Sequence, residues 1–510
     1  MTTRQRTTRR RPARSAGLAA LLAVVLATGT TAGCALAPSV HPVQEQDFTT
    51  PLAIPPLAPS RVVDGTRVFS LTAQEGTSEF LPAVETETWG FDGPYLGPTL
   101  RASRGERVAV EVTNDLTETT SVHWHGMHLP AAMDGGPHQE VAPGETWRST
   151  WVVDQPAATL WYHPHPHGRT EQHVYRGLAG VFLLDDDASD AAALPGEYGV
   201  DDVPVVVQDK AFDDAGRLTT EGAGEPGILG DVVLTNGVAG AYHDVTTERV
   251  RLRLVNGSTA RTYSLGLPDR PVDLVATDGG LLDAPVRVDR VRLAPGERAE
   301  VVVTMSPGET TRLHSFAPDL GGVAASFAMG GKEAFDVLEL RAADDLTPSP
   351  APSWDPSRHA DTDTLRASEA VVERTFELAD RRINGRRMDL ARIDETVTVG
   401  DTEVWTVRNA HPVPHSFHVH DVQFRVLDVD GEPPPPALAG RKDTVYLEPS
   451  RTYRLVLRFD DYTDPDVPYM YHCHMLRHED EGMMGQLVVV APGETAGTVP
   501  DPVEHGHGHG

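Results

Sequence analysis

Cysteine is nearly absent: the 510 residues contain two, Cys34 and Cys473. If Cys34 belongs to a processed leader, one internal thiol remains and no internal disulfide can form. A lone cysteine in an oxidising compartment is either buried and inert or bound to something. Long apolar runs are missing as well. The apolar stretch near the start, Ala16 to Ala27, is well under the ~20 residues a membrane-spanning helix needs. No stretch of convincing length shows helical amphipathic periodicity. Cations are outnumbered: Lys and Arg total 44 against 74 Asp and Glu, a formal charge of −30. Such a surface argues against nucleic acid or an anionic membrane face as partner.

The opening "MTTRQRTTRRRPARSAGLAALLAVVLATGTTAGC" reads as an export signal over residues 1–33. It has a basic start, an apolar middle and small residues before Cys34. Those small residues are similar to a lipoprotein cleavage box, with Thr31 where such a box usually has Leu, which makes Cys34 a candidate lipid anchor. The expected location is extracellular, cell envelope or periplasmic. The six arginines of the leader have no acidic counterweight, so the mature chain carries a charge of about −36.

The rest of the chain reads as all-β. Short alternating or apolar runs are punctuated by Gly, Pro, Asp and Asn. Three of them recur as a repeat, "RVAVEVTN", "RVRLRLVN" and "EVWTVRN", each ending in Asn: Asn114, Asn256 and Asn409. A turn and strand follow each ("APGETWRSTWVV", "APGERAEVVVTM", "EPSRTYRLVLRF"), and then a closing strand ("GLAGVFLLDD", "AFDVLELRA", "GQLVVVAP"). Three β-sandwiches of one plan are the economical reading. The expected boundaries are 60–187, 200–342 and 369–492, with a Pro- and Asp-rich linker over 343–368. A disordered His-rich tail is expected over 493–510.

Four His-x-His pairs stand out: His123 and His125, His163 and His165, His418 and His420, His472 and His474. Residues i and i+2 of a strand share a face, so each pair points two imidazoles the same way. Neutral imidazole is a ligand of choice for copper. Two pairs fall in the first module, two in the third and none in the middle one, which is not expected to hold metal. If "YHCHM" is extended, Cys473 faces away from His472 and His474, and one strand touches two metal sites. A thiolate with two nitrogen donors and a weak axial sulfur defines a blue-copper electron-transfer site. His478 lies five residues on, Met483 ten on, with Met484 as its rival, and His415 precedes the third pair.

The order H-x-H, H-x-H, H-x-x-H-x-H, H-C-H-x-x-x-H-x-x-x-x-M resembles the multicopper oxidases, the laccase-like family, over nearly all of the mature chain. The stretch "WGFDGPYLGPTLRASRGERVAVEVTNDL" is similar to that family's first-domain opening. The resemblance implies three cupredoxin-like Greek-key β-sandwich domains and four copper ions. It assigns a type 1 copper to His415, Cys473, His478 and Met483, and a type 2 copper to His123 and His418. One type 3 copper falls to His125, His163 and His474, the other to His165, His420 and His472. The "WY" before "HPHPH" aligns His163 and His165 with the family pair and leaves His167 spare. Cys473 then becomes the junction between a copper that collects electrons singly and a cluster that passes four to dioxygen.

Reducing dioxygen to water also needs protons, hence carboxylates near the cluster. Asp134 matches the family's acid on the dioxygen channel and Glu479 a second relay acid. The expected activity is one-electron oxidation of phenolic or aromatic donors coupled to dioxygen reduction. The alternatives are a metal ion such as cuprous as the donor and, more remotely, copper binding without turnover. Cuprous-oxidising members of the family carry a methionine-rich insertion over the type 1 site, whereas no Met lies between Met329 and Met388 here and Val413 stands two before His415; the resemblance therefore implies an open type 1 site and organic donors. The tail histidines His505, His507 and His509 could capture copper.

Overall fold

The computed structural model describes residues 1–2, 42–350, 352–354 and 365–499. The leader, Cys34 and the histidines of the tail lie outside the described residues. Among the described residues, helices are short, five to seven residues for the α-helices, and none is long and apolar enough to cross a membrane. The remainder is strand and turn, in six sheets.

The sheets stack in pairs as three cupredoxin-like Greek-key β-sandwiches. In the first, Ser60–Val63, Thr66–Leu81, Val84–Phe91, Arg107–Asn114 and Thr146–Val152 oppose a sheet of Leu100–Ser103, Gly180–Asp185, Ala158–His163 and His123–His125. Side chains from both sheets fill one core, with Val108, Val110 and Val112 of one against Trp124, Tyr162 and Phe182 of the other. That is the alternation read from "RVAVEVTN" turned into packing. The second sandwich opposes a seven-stranded sheet around Arg249–Asn256 and a six-stranded sheet around Phe335–Thr347. The third opposes a six-stranded sheet around Thr402–Asn409 and a five-stranded sheet containing Asp464–Cys473 and His415–Val419.

The repeat is a true structural repeat. Arg107–Asn114, Arg249–Asn256 and Thr402–Asn409 each pair parallel with an earlier strand and antiparallel with a later one. The terminal Asn is buried in every copy and does the same work. Asn114 Nδ2 donates to the carbonyls of Glu118 and Val141 while its Oδ1 accepts from the Leu116 amide. Asn256 holds Arg261, Leu293 and Ser258 in the same way, and Asn409 holds Val413, Leu447 and His411. The amide side chain replaces ladder partners where the strand leaves the sheet, as buried backbone groups require.

Some segments reach further than the sequence suggested. Thr50–Pro51, ahead of residue 60, pairs parallel with Ala241–Thr247 of the second sandwich. The strand Phe335–Thr347 runs into the expected linker, and Trp354 donates its indole N–H to the Leu282 carbonyl. After Pro492 the Gly497 amide donates to Pro465 O and the Thr498 amide to Asp466 Oδ1, and Val499 is buried.

Candidate metal centres

Register delivers the imidazoles. In the first sandwich His123 lies directly across from His163. In the third, His418 lies across from His472 and Phe417 from Cys473. These two sheets bring their histidines to one buried place. His123, His125, His163, His165, His418, His420, His472 and His474 are each no more than 1% exposed.

Their ring nitrogens converge in a pattern. His418 Nε2 and His123 Nε2 are 3.5 Å apart. His163 Nε2 lies 3.3 Å from His125 Nδ1 and 3.4 Å from His474 Nε2. His472 Nε2 lies 3.2 Å from both His165 Nε2 and His420 Nε2. Donor atoms of His123, His418 and His420, of His123, His125 and His163, and of His165, His420 and His472 all fall within 4.8 Å within each set. The sets overlap because the cluster is crowded.

The outward nitrogens explain why the inward ones are free to bind. His420 Nδ1 meets Asp134 Oδ2 at 2.6 Å, His123 Nδ1 meets Asp134 O at 3.1 Å, and His163 Nδ1 meets Pro164 O at 2.9 Å. His165 Nδ1 and His472 Nδ1 lie 3.3 and 3.2 Å from the two oxygens of Glu479. An N–H held on that side leaves a lone pair pointing into the cluster. Burial pushes the imidazoles toward the neutral form: His165 falls to about 4, and His125, His163, His418, His420 and His474 are lowered well below the ordinary value. Facing lone pairs at 3.2–3.5 Å repel each other unless a cation sits among them, so this donor set fits metal.

The other face of the same strand builds a second centre. His472 and His474 lie on one side with ring centroids 5.5 Å apart. Cys473 Sγ points the other way, 3.5 Å from His415 Nδ1 and 3.6 Å from His478 Nδ1, and those two nitrogens are 3.1 Å apart. His478 is carried by the short helix Leu476–Asp480. Met483 is fully buried; its carbonyl accepts from the Cys473 amide and its amide donates to His478 O. Met484 lies across from His472 in the sheet. Burial pushes the thiol up to about 12 and His478 down to about 3. A thiol in such a place ionises only against a bound cation. Two nitrogens and a thiolate suit copper.

The site is more covered than Val413 suggested. His478 Nε2, the edge turned away from Cys473, lies 3.3 Å from Glu225 O and 3.6 Å from the Glu225 carboxylate, on a segment of the second sandwich. Arg381 holds Glu225 through its backbone carbonyl and carboxylate. Sequence reading missed this segment because a Gly-rich loop, "TTEGAGEPG", carries no metal-binding signal. It also missed Asp443 and Thr444, whose oxygens lie 3.1 and 3.0 Å from His125 Nε2. "RKDTVY" reads as an ordinary strand entry.

Three models described as multicopper oxidase match the chain, over residues 72–189, 218–312 and 357–493. The chain is 34% identical to a multicopper oxidase, mco, of Staphylococcus haemolyticus over 435 residues, 84% of this chain and 89% of that one. It is 37% identical to the cell division protein FtsP of Escherichia coli over 450 residues, 86% and 92% of the two chains. Among solved structures, a multicopper oxidase of Pediococcus acidilactici superposes with a TM-score of 0.78 at 32% identity, covering 89% of this chain and 94% of that one. A laccase-like multicopper oxidase of Ochrobactrum sp., described as active on lignin model compounds and lignosulfonate, gives 0.77 at 32% identity, covering 86% and 100%.

Proposed function

The chain belongs to the multicopper oxidase family, and from that premise we propose that it oxidises phenolic and other aromatic donors one electron at a time and reduces dioxygen to water. It is a copper-dependent oxidoreductase; the donor and the ligand roles are the proposed part. A type 1 copper falls to His415, Cys473, His478 and Met483. A trinuclear cluster falls to His123 and His418 (type 2), and to His125, His163 and His474 and His165, His420 and His472 (the type 3 pair). When bound, copper supplies single-electron redox steps and a site for dioxygen.

The observation that carries this reading is the strand around Cys473. Its sulfur faces one nitrogen set while its two sequence neighbours face the other. The covalent path from one centre to the other therefore runs through Cys473 and a single adjacent residue. Asp134 touches His420 and His123, and Glu479 touches His165 and His472, so each carboxyl lies against the cluster where protons are needed. Burial of all four partners keeps bulk water from short-circuiting that delivery. The first 33 residues support export, which fits a family with secreted and periplasmic members.

A metal-ion donor is the second reading, favoured by one contact: the Glu225 carboxylate lies 3.6 Å from His478 Nε2, where a cation would be attracted. Copper binding without turnover has no use for a buried cysteine between two cluster histidines. Oxygen consumption of copper-loaded protein on a phenol series against Cu(I), Fe(II) and Mn(II) tests the proposal. Faster turnover of phenols supports it; turnover of metal ions alone replaces it with the second reading.

A further inference from the structure

The middle sandwich contributes no ring nitrogen to either centre, yet one of its turns is pressed against the cluster. The repeated turn occurs as Ala142-Pro143-Gly144-Glu145, Ala294-Pro295-Gly296-Glu297 and Glu448-Pro449-Ser450-Arg451. In the first copy a side chain at Gly144 would meet nothing. In the middle copy a Cβ at Gly296 would lie 2.9 Å from the His474 ring, and Pro295 O accepts from Ser416 Oγ at 2.9 Å. The next residue differs too. Thr146 and Thr452 begin the following strand in the outer copies, whereas the middle one begins with Arg298, which is fully buried.

Arg298 grips Asp443 of the third sandwich with both arms, Nη1 to Oδ1 and Nη2 to Oδ2, each at 2.6 Å. Its other donors go to the carbonyls of Thr159, Gly296 and Asp278. Beside it Lys442, one of three lysines in the chain, pairs with Asp278 and Glu297 at 2.9 and 3.1 Å. The glycine of "HWHG" belongs to the same arrangement. Gly126, at φ +85°, has its missing Cβ 2.6 Å from Asp443 Oδ2 and 2.7 Å from Arg298 Nη2. That glycine leaves room for the ion pair.

The target of this clamp is the one imidazole that behaves differently. The other cluster histidines turn Nε2 inward; His125 turns Nδ1 inward. Its Nε2 lies between Asp443 Oδ1 and Thr444 Oγ1, and Thr444 Oγ1 also meets His418 Nδ1 at 3.1 Å. The His125 and His418 rings stack at 3.7 Å. We propose that Arg298 and Asp443 are positioning residues: Arg298, from the sandwich without ligands, fixes Asp443, and Asp443 holds the Nε2–H tautomer of His125 so that Nδ1 is left for metal. Outer partners of this kind set tautomer and orientation of a metal-binding histidine.

The inference rests on the copper reading above, and the test keeps the two apart. Copper-loaded Asp443→Asn, and the charge-balanced double variant Arg298→Met with Asp443→Asn, are compared with the unaltered protein for blue absorption, cluster copper signals in paramagnetic resonance, and copper retention against a chelator. The expected result is an unchanged blue band from the mononuclear centre. Cluster copper should be at least about 10-fold easier to strip. Arg298→Lys alone should also loosen cluster copper, since an ammonium cannot make the two-armed contact. Cluster retention equal to the unaltered protein would overturn the proposal. So would loss of the blue band and the cluster together, which marks a purely structural role. An unaltered protein that takes up no copper would instead overturn the reading beneath it.

Discussion

At the residue scale, chemistry is decided by which ring nitrogen is held outward. Asp134 and Glu479 each touch two cluster histidines, so in the proposed function they orient ligands and also carry protons. Asp134→Asn should keep copper and the blue band while lowering kcat by about 10²-fold or more, with the loss growing as pH rises and protons become scarce. Steady-state rates across pH, with copper content measured beside them, check this; a flat profile and an unchanged kcat would remove Asp134 from proton delivery. These carboxylates were legible in the sequence only through family resemblance. Asp443 was not, because nothing in "RKDTVY" marks an aspartate aimed across a domain boundary. Its partner Arg298 stands 145 positions away.

At the element scale, the short strand and the turn carry the design. The alternation rule describes His123 and His125, which share one strand, and the thiol opposed to His472; in the other three pairs the second histidine, His165, His420 or His474, lies just past the end of its strand. Loop coverage was not legible, because a Gly-rich segment has no periodicity to read. Glu225→Ala should therefore raise KM for cationic or metal-ion donors several-fold and leave neutral phenols little changed, as the carboxylate beside His478 Nε2 is removed. Equal effects on both donor types would exclude an electrostatic role. The repeated Asn makes a second prediction at this scale. Asn256→Ala strips partners from two buried carbonyls and an amide, and should cost about 2–4 kcal/mol, read as a melting temperature lower by several degrees.

At the scale of the whole molecule, three sandwiches hold eight imidazoles neutral in the dark interior: His125, His163, His165, His415, His418, His420, His474 and His478. In the unfolded chain each takes a proton below about pH 6.5; in the fold they do not, down to about 4 for His165 and about 3 for His478. The unfolded state binds more protons in that window, so copper-free protein should lose stability as pH falls from 6.5 toward 4. Thermal melts of metal-free protein at pH 7.5 and 5 check the sign, and added copper should raise both melting temperatures. The most direct test addresses the strand that couples the two centres. In copper-loaded Cys473→Ser, we expect a folded, colourless protein that keeps its cluster copper but whose oxygen consumption on phenols falls to background. Oxygen consumption at the unaltered rate in that variant would contradict the account.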